Sequence, residues 1–582
     1  MTLYELARVF DEIENVSSRL VITEKLAAIY KQASAQEAKI ISYLVLGSLF
    51  PPYQAVQLNI ADKTMIAILS LVCKISENEI KAYYKKVGDL GLVAFDHLPA
   101  RAGKISIEEL YDLLVSYTTI TGTGSIELKI GKFEELLSTV DALSAKYIVR
   151  IVTKTLRLGF SEMTVLDALS WMYAQDKSLR DPLEKAFNLC ADLGLVAYTL
   201  KAKGIDGITS VMPQVGIPIR PAAAERLSSA QEIIAKLGPC AVQPKLDGFR
   251  LQIHMEKSKQ GVRVEFFSRN LVDMSAMFPD IKELVSKLSV DSLICEGEAI
   301  GFNPVTGEFL PFQETVKRKR KHDIEQMSQD VPLRLYIFDI LYLNGKSVMQ
   351  LTHEQRRALL ERTLEGAPHG LYIIEEKVFS DARDVENYFL QGMSAGLEGI
   401  VAKRLDAVYQ PGKRNFNWIK LKRHEERSLV EDTIDAVILG YYTGQGKRSG
   451  FGIGAFLVGI YNEKEDIFQT IAKVGTGLTD QEWIIIRTAC DKIKVSKSPA
   501  NVQVPKELAP DVWVNPEIVC EIRCDNITKS PLHTAGKSVK DGLGYALRFP
   551  RFLGYRKDKS AFQATTVQEI VHLYEQQFVS EK

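Results

Sequence analysis

The feature that most constrains this chain is Gly216-Ile217-Pro218-Ile219-Arg220-Pro221. Its two prolines fix their own φ, lack amide donors and push the residues before them into extended backbone, so no helix runs through the segment. On its N-terminal side, residues 1–215 show apolar positions recurring at three and four, as in 23–32 and 35–49, broken by Gly47 and Pro51-Pro52. That spacing predicts helix after helix, with no alternating strand. On its C-terminal side the pattern changes to strand-like runs at 262–267, 292–295, 333–343 and 399–402, with helical spacing at 277–288 and 353–364 between them. Such a mixture predicts an α/β (α+β) domain over 216–425. A charged stretch from Lys422 then leads into short strands at 434–440 and 454–460 separated by glycines, the pattern of a small β-barrel, for which an oligonucleotide-binding (OB) fold over 426–582 is the expectation.

A chain of 582 residues exceeds what one core holds, so a multidomain protein is expected. Hydrophobic residues at 46% and charged residues at 25% exclude disorder as the default. No secretory signal is legible at the N-terminus, and apolar runs such as 40–49 are too short to span a bilayer, so a cytoplasmic or nuclear protein is expected, and in a prokaryote a cytoplasmic, nucleoid-associated one. The seven cysteines follow neither disulfide nor zinc spacing, and Cys520 and Cys524 read as buried thiols. Net charge is zero, so a polyanion must be met by local patches.

One such patch is expected on a helix from Ser144, as N-cap, to Gly159, as stop. Ile148, Ile151, Val152 and Leu156 form its apolar stripe, while Lys146, Arg150, Lys154 and Arg157 form a basic stripe with no acid in it, suited to nucleic-acid phosphates. Lys317-Arg318-Lys319-Arg320-Lys321 resembles a nuclear-import signal, but its place directly after Pro311-Phe312-Gln313-Glu314 favours a loop facing nucleic acid, with a solvated loop as the alternative. The glycine-rich segment 444–452 lacks Walker spacing and reads as a basic hairpin turn.

The chemical centre is Gln243-Pro244-Lys245-Leu246-Asp247-Gly248-Phe249-Arg250, which puts an amine nucleophile, a carboxylate and a guanidinium fork within a few residues. Further motifs answer it in order: Ser268-Arg269, Glu296-Gly297-Glu298, Phe338-Asp339, Glu398-Gly399-Ile400-Val401-Ala402-Lys403 and Lys420-Leu421-Lys422. Together they resemble the ordered motifs of the covalent nucleotidyltransferases, which comprise DNA ligases, RNA ligases and mRNA-capping enzymes. The narrower resemblance is to ATP-dependent DNA ligases of the archaeal and eukaryotic replicative type. Arg548-Phe549-Pro550-Arg551-Phe552, Tyr342-Leu343-Asn344-Gly345, Pro311-Phe312-Gln313-Glu314 and Pro411-Gly412-Lys413-Arg414 carry it, and Leu156-Arg157-Leu158-Gly159 extends it into the helical region.

The resemblance implies a DNA-binding helical domain, an adenylation domain and an OB-fold domain acting on nicked double-stranded DNA in replication, repair and recombination. It implies that Lys245 attacks the α-phosphate of ATP to carry AMP, that the AMP passes to a 5′-phosphate, and that a 3′-hydroxyl then displaces it. Gln243 would meet the adenine edge and Phe338 would stack on it. Glu298 would hold the ribose or a metal, and Glu398 would ligate Mg²⁺, with Mn²⁺ as a substitute. Arg250, Arg269 and Arg414 would grip phosphates, with Lys420 and Lys422 on the α-phosphate. Arg548, Arg551, Arg556 and Lys559 would meet pyrophosphate or nucleic acid. A monomer is expected. Residues 101–111 do not match the sliding-clamp-binding motif found near this point in archaeal relatives.

Overall fold

A computed structural model describes all residues except 55, 100–104, 157, 311, 319–323, 395–396, 423–432, 445, 539–541 and 580–582. The chain divides into two compact units, one of Met1–Ile68 with Leu98–Arg423, the other of Leu69–His97 with His424–Lys582.

As the spacing predicts, the described residues before the proline break are helical, running from Leu3–Glu14 to Leu193–Thr209. Local chemistry starts several of these helices. Thr2 with Glu5 and Ser34 with Glu37 form reciprocal capping boxes that satisfy otherwise orphaned amides. The expected helix from Ser144 to Gly159 is corrected: it spans Ala142–Val152. Asp141 is the cap, its carboxylate accepting the Ser144 amide at 2.9 Å. The helix ends early because Lys154 takes a left-handed φ of 57°, which breaks the ladder before Gly159.

The proline-rich break is fastened down by the sheet beyond it. Gln252 brackets Ile219, accepting its amide at 2.7 Å and donating to its carbonyl at 2.9 Å. His254, buried and held neutral with its pKa pushed down to about 3 by burial, accepts the Gly216 amide at 3.1 Å.

Two sheets form the α/β region. In the first, strand order is Ala223–Arg226, Arg414–Lys422, Gly399–Arg404, Cys240–Lys245 and Lys377–Phe379. The second runs Gly261–Ser268, Phe249–Ser258, Ser292–Gly301, Leu333–Leu343 and Lys346–Ser347, with Leu371–Ile373 parallel to Leu333–Leu343. Helices cover one face of each sheet. Ile233 and Val385 pack on the first beside Val242 and Ile400, and Phe278 and Leu360 pack on the second beside Ile253 and Leu335. Burial of each such side chain contributes about 1.5–3 kcal/mol.

The second unit is strand-rich. Ile434–Tyr442, Ala455–Asn462 and Ile467–Val474 are its central antiparallel strands, and Val519–Arg523 pairs with Ile434–Tyr442 and with Arg551–Tyr555. The glycine-rich connection between the first two strands carries a 3-10 turn, Gly446–Phe451. Cys520 and Cys524 are free and buried, as expected. Among the described residues, no helix is long and apolar enough to cross a membrane.

Candidate active site

The strand Cys240–Lys245 ends on the lysine, and a turn through Asp247 and Gly248 starts the next strand at Phe249. Only glycine fits here: a Cβ on Gly248 would lie 2.4 Å from the Ala299 carbonyl oxygen. Through that close approach the Gly248 amide donates to Glu298 at 3.2 Å, tying the lysine turn of one sheet to the Glu-Gly-Glu strand of the other.

Strand register brings in the remaining groups. Gly399 pairs with Lys245 on one side and Lys422 on the other, which leaves Glu398 at the mouth of three adjacent strands. One carboxylate oxygen of Glu398 accepts from the Lys245 ammonium and the other from Lys422. Burial favours its neutral form, but Lys245 and Lys422 outweigh burial and hold it below the ordinary carboxylate range. Glu298 behaves oppositely: burial pushes its carboxyl up to about 7 against the pull of Lys245 and Arg250.

These residues line a cavity of about 510 Å³ together with Gln243, Arg250, Arg269, Phe338, Lys403, Trp418 and Lys420. Lys420 has its pKa lowered by burial and then by the nearby cations Lys422, Arg414, Arg269 and Lys245. Phe338 and Trp418 meet edge to face at 6.1 Å, giving the cavity an apolar end.

Several expected roles are corrected by the contacts. Arg250 is not an open fork for phosphate: it binds Glu296 at 2.9 Å and the Ala222 carbonyl at 3.0 Å, and its guanidinium packs over Phe338. Tyr409 donates to the same Glu296 at 2.8 Å, completing a buried network that positions the wall. Arg414 begins its strand in an exposed position outside the cavity lining.

Lys146 and Arg150 do not form a free phosphate face. They are 6% and 5% exposed and donate to acids of the helix Leu3–Glu14: Lys146 to Asp11 at 2.8 Å and Glu14 at 3.0 Å, Arg150 to Glu14 at 2.9 Å. The stripe lacks acids in its own segment, but another helix supplies them. Lys154 is exposed, and Arg157 lies outside the described residues.

The same happens elsewhere. Arg556 and Lys559 converge on Asp435 at 2.9 and 2.6 Å, Arg551 is 3.5 Å from Asp525, and Arg548 packs over Phe549. In the basic run at 317–321, Arg318 is buried on Asp280 and Lys317 pairs with Glu314 at 2.6 Å, while Lys319, Arg320 and Lys321 lie outside the described residues.

Four residues with no assigned role in the sequence reading prove structural to the site. Lys403 is fully buried under Phe338, donating to its carbonyl at 3.0 Å, and burial draws its pKa down to about 8. Trp418 walls the cavity. Glu376 and His353 stand behind Gln243, where Gln243 donates to Glu376 at 2.6 Å. No local motif marks Glu376; only strand pairing reveals it.

Among the described residues, six cationic side chains line this cavity against three carboxylates. Such an excess suits a polyanion, such as the phosphates of a nucleotide, lying against an amine nucleophile. Family models agree along the chain: "DNA ligase N terminus" matches residues 2–170, "ATP dependent DNA ligase domain" residues 221–422 and "ATP dependent DNA ligase C terminal region" residues 449–559. A "Probable DNA ligase" of Dictyoglomus thermophilum is 45% identical over 580 residues, covering 99% of this chain and 98% of that one. A "DNA ligase" of Acidianus ambivalens is 38% identical over 591 residues, covering 98% and 97%. The solved structure titled "Pmar-Lig_PreS3" shares the fold at 15% identity, with a TM-score of 0.55 over 94% of this chain and 99% of that one. The chain belongs to the ATP-dependent DNA ligase family.

Proposed function

We propose that Lys245 carries AMP between ATP and nicked duplex DNA. The observation that supports this most directly is the convergence of Lys245, Glu398 and Lys422 at three neighbouring strand ends inside a cation-lined cavity. In the first step the Lys245 Nζ–phosphorus bond forms at the α-phosphate, the bond to pyrophosphate breaks, and the amine loses one proton to solvent. Phosphoryl transfer asks chiefly for positioning and charge neutralisation, which Lys420, Lys422 and Arg269, all lining the cavity, would provide. Phe338 and Trp418 offer the base an aromatic seat. In the second step a 5′-phosphate oxygen at the nick displaces Lys245 from the adenylate phosphorus. In the third the 3′-hydroxyl attacks the 5′-phosphate and AMP leaves.

Glu298 and Glu398 are hard oxygen donors at the cavity, and they fit Mg²⁺ or Mn²⁺, which takes one or two carboxylates and completes its shell with phosphate oxygens and water. A bound ion would supply further neutralisation of phosphate charge. The strand-rich C-terminal unit fits an OB-fold barrel, and Arg551, exposed although 3.5 Å from Asp525, offers it a phosphate contact. Exposed Lys154 fills that role in the helical region.

The test is covalent labelling with ATP carrying label at the α-phosphate, followed by sealing of a nicked duplex. The wild-type chain is expected to take the label and Lys245→Ala to take none; label that persists on the variant would rule out this nucleophile.

A further inference from the structure

Gln243 forms part of the cavity wall with only 2% of its surface exposed, and the direction of its amide is decided from behind. Its Nε2 donates to Glu376 Oε2 at 2.6 Å, and that same oxygen accepts from His353 Nε2 at 2.9 Å. Both partners are held by secondary structure. The pairing of Val242 with Lys377 sets Glu376 beside Gln243 across the strands. His353 opens the helix His353–Thr363, whose start is seated by the Thr352–Gln355 capping box.

Glu376 is buried, which alone would raise its carboxyl, yet His353, joined by the charges of Lys403 and Arg357, outweighs burial and brings it down to about 2. An ionised carboxylate accepts hydrogen bonds and donates none. The nitrogen of the Gln243 amide must therefore face Glu376, and its oxygen must point the other way, to the cavity. Turning the amide over would oppose two acceptors in a buried place. Gln243 and Lys245 are two residues apart on one strand and so share a face, and both line the cavity along with Phe338 and Ile374.

We propose that Glu376 and His353 are positioning residues that set base preference: they lock Gln243 as an acceptor, which takes the 6-amino group of adenine and repels the 6-oxo group of guanine. This rests on the reading of the cavity as the donor-nucleotide site. A site built around one hydrogen-bonding pattern discriminates strongly against a base that leaves its groups unpaired.

The experiment compares covalent labelling by α-labelled ATP and α-labelled GTP, as kcat/KM for each. Wild type is expected to favour ATP. Glu376→Gln can donate to Gln243 or accept from it, so both amide orientations become available. Its ATP-to-GTP ratio is expected to fall at least tenfold, mainly through KM, with label still formed from ATP. The double variant Gln243→Glu with Glu376→Gln reverses the donor across the strands and again turns an acceptor to the cavity. It is expected to recover the wild-type preference, and it decides the matter alone should the single variant not fold. A single-variant ratio within twofold of wild type, or a double variant that stays unselective, overturns the proposal. No label on the wild-type chain from either nucleotide would overturn the donor-site reading itself, a failure distinct from an unchanged ratio.

Discussion

Lys245 and Lys422 divide one carboxylate between them, the first taking Oε2 of Glu398 and the second Oε1. Replacing Glu398 by Gln keeps the shape but leaves two ammonium groups facing each other without a counter-charge. Adenylation in single-turnover labelling should fall by about 100-fold or more, the scale of losing a preorganised electrostatic group. Melting within a few degrees of wild type would show that the loss is catalytic.

Gly248 is a second sensitive point. Because a Cβ there would sit 2.4 Å from backbone oxygen, Gly248→Ala must push the lysine turn away from the Glu298 strand. Labelling should drop at least tenfold with global stability reduced by about 1–3 kcal/mol, the usual cost of overpacking. Kinetics indistinguishable from wild type would show that the turn tolerates the shift.

Arg356 holds the strand that carries Phe338. Its guanidinium binds Asp339 at 2.7 Å, both groups being 1% exposed, and Asp339 is held down to about 2 because Arg356 and Lys403 outweigh its burial. Arg356→Leu leaves that carboxylate with the Ile340 amide at 3.0 Å and, as its remaining ion-pair partner among the described residues, Lys403 at 3.9 Å. Urea unfolding should record a loss of about 3–5 kcal/mol, as for other broken buried pairs.

The Lys146 cluster predicts a pH dependence. Burial would raise the Glu14 carboxyl, but Arg150 and Lys146 outweigh it and hold it at about 2 in the folded chain. Its folded pKa lies below the unfolded value, so its stabilisation is present above pH 4.5 and is lost as pH falls toward 2. Glu14→Gln should cost about 2 kcal/mol near neutral pH, after allowance for its partial exposure. That cost should shrink steadily below pH 4.5 in paired melts of variant and wild type.

Lys146 and Lys154 should then separate in DNA binding. Lys154→Ala should lower the slope of log affinity against log salt by about one, the mark of one lost phosphate contact. Lys146→Met should lower the melting temperature and leave that slope alone. A slope change in Lys146→Met would restore the basic stripe as a phosphate face.

Local chemistry made much of this molecule readable in one dimension. Two prolines near residue 220 cannot enter a helix, and helical and strand periodicities differ enough that the change of architecture at that point was legible. The ordered motifs named the lysine, the carboxylates and the aromatic, because each needs a specific residue type in a short segment. Partners were a different matter. Nothing near residue 146 announces that Asp11 and Glu14 pair with the stripe, nor does residue 556 announce Asp435. Ion pairs form wherever packing brings opposite charges together, at any separation along the chain. Sequence alone determined which reactive residue types stand in the segments around Lys245. Tertiary structure decided which cations remained open to a phosphate, and it turned the Gln243 amide through Glu376 and His353, because strand register and helix packing, not sequence spacing, set those contacts.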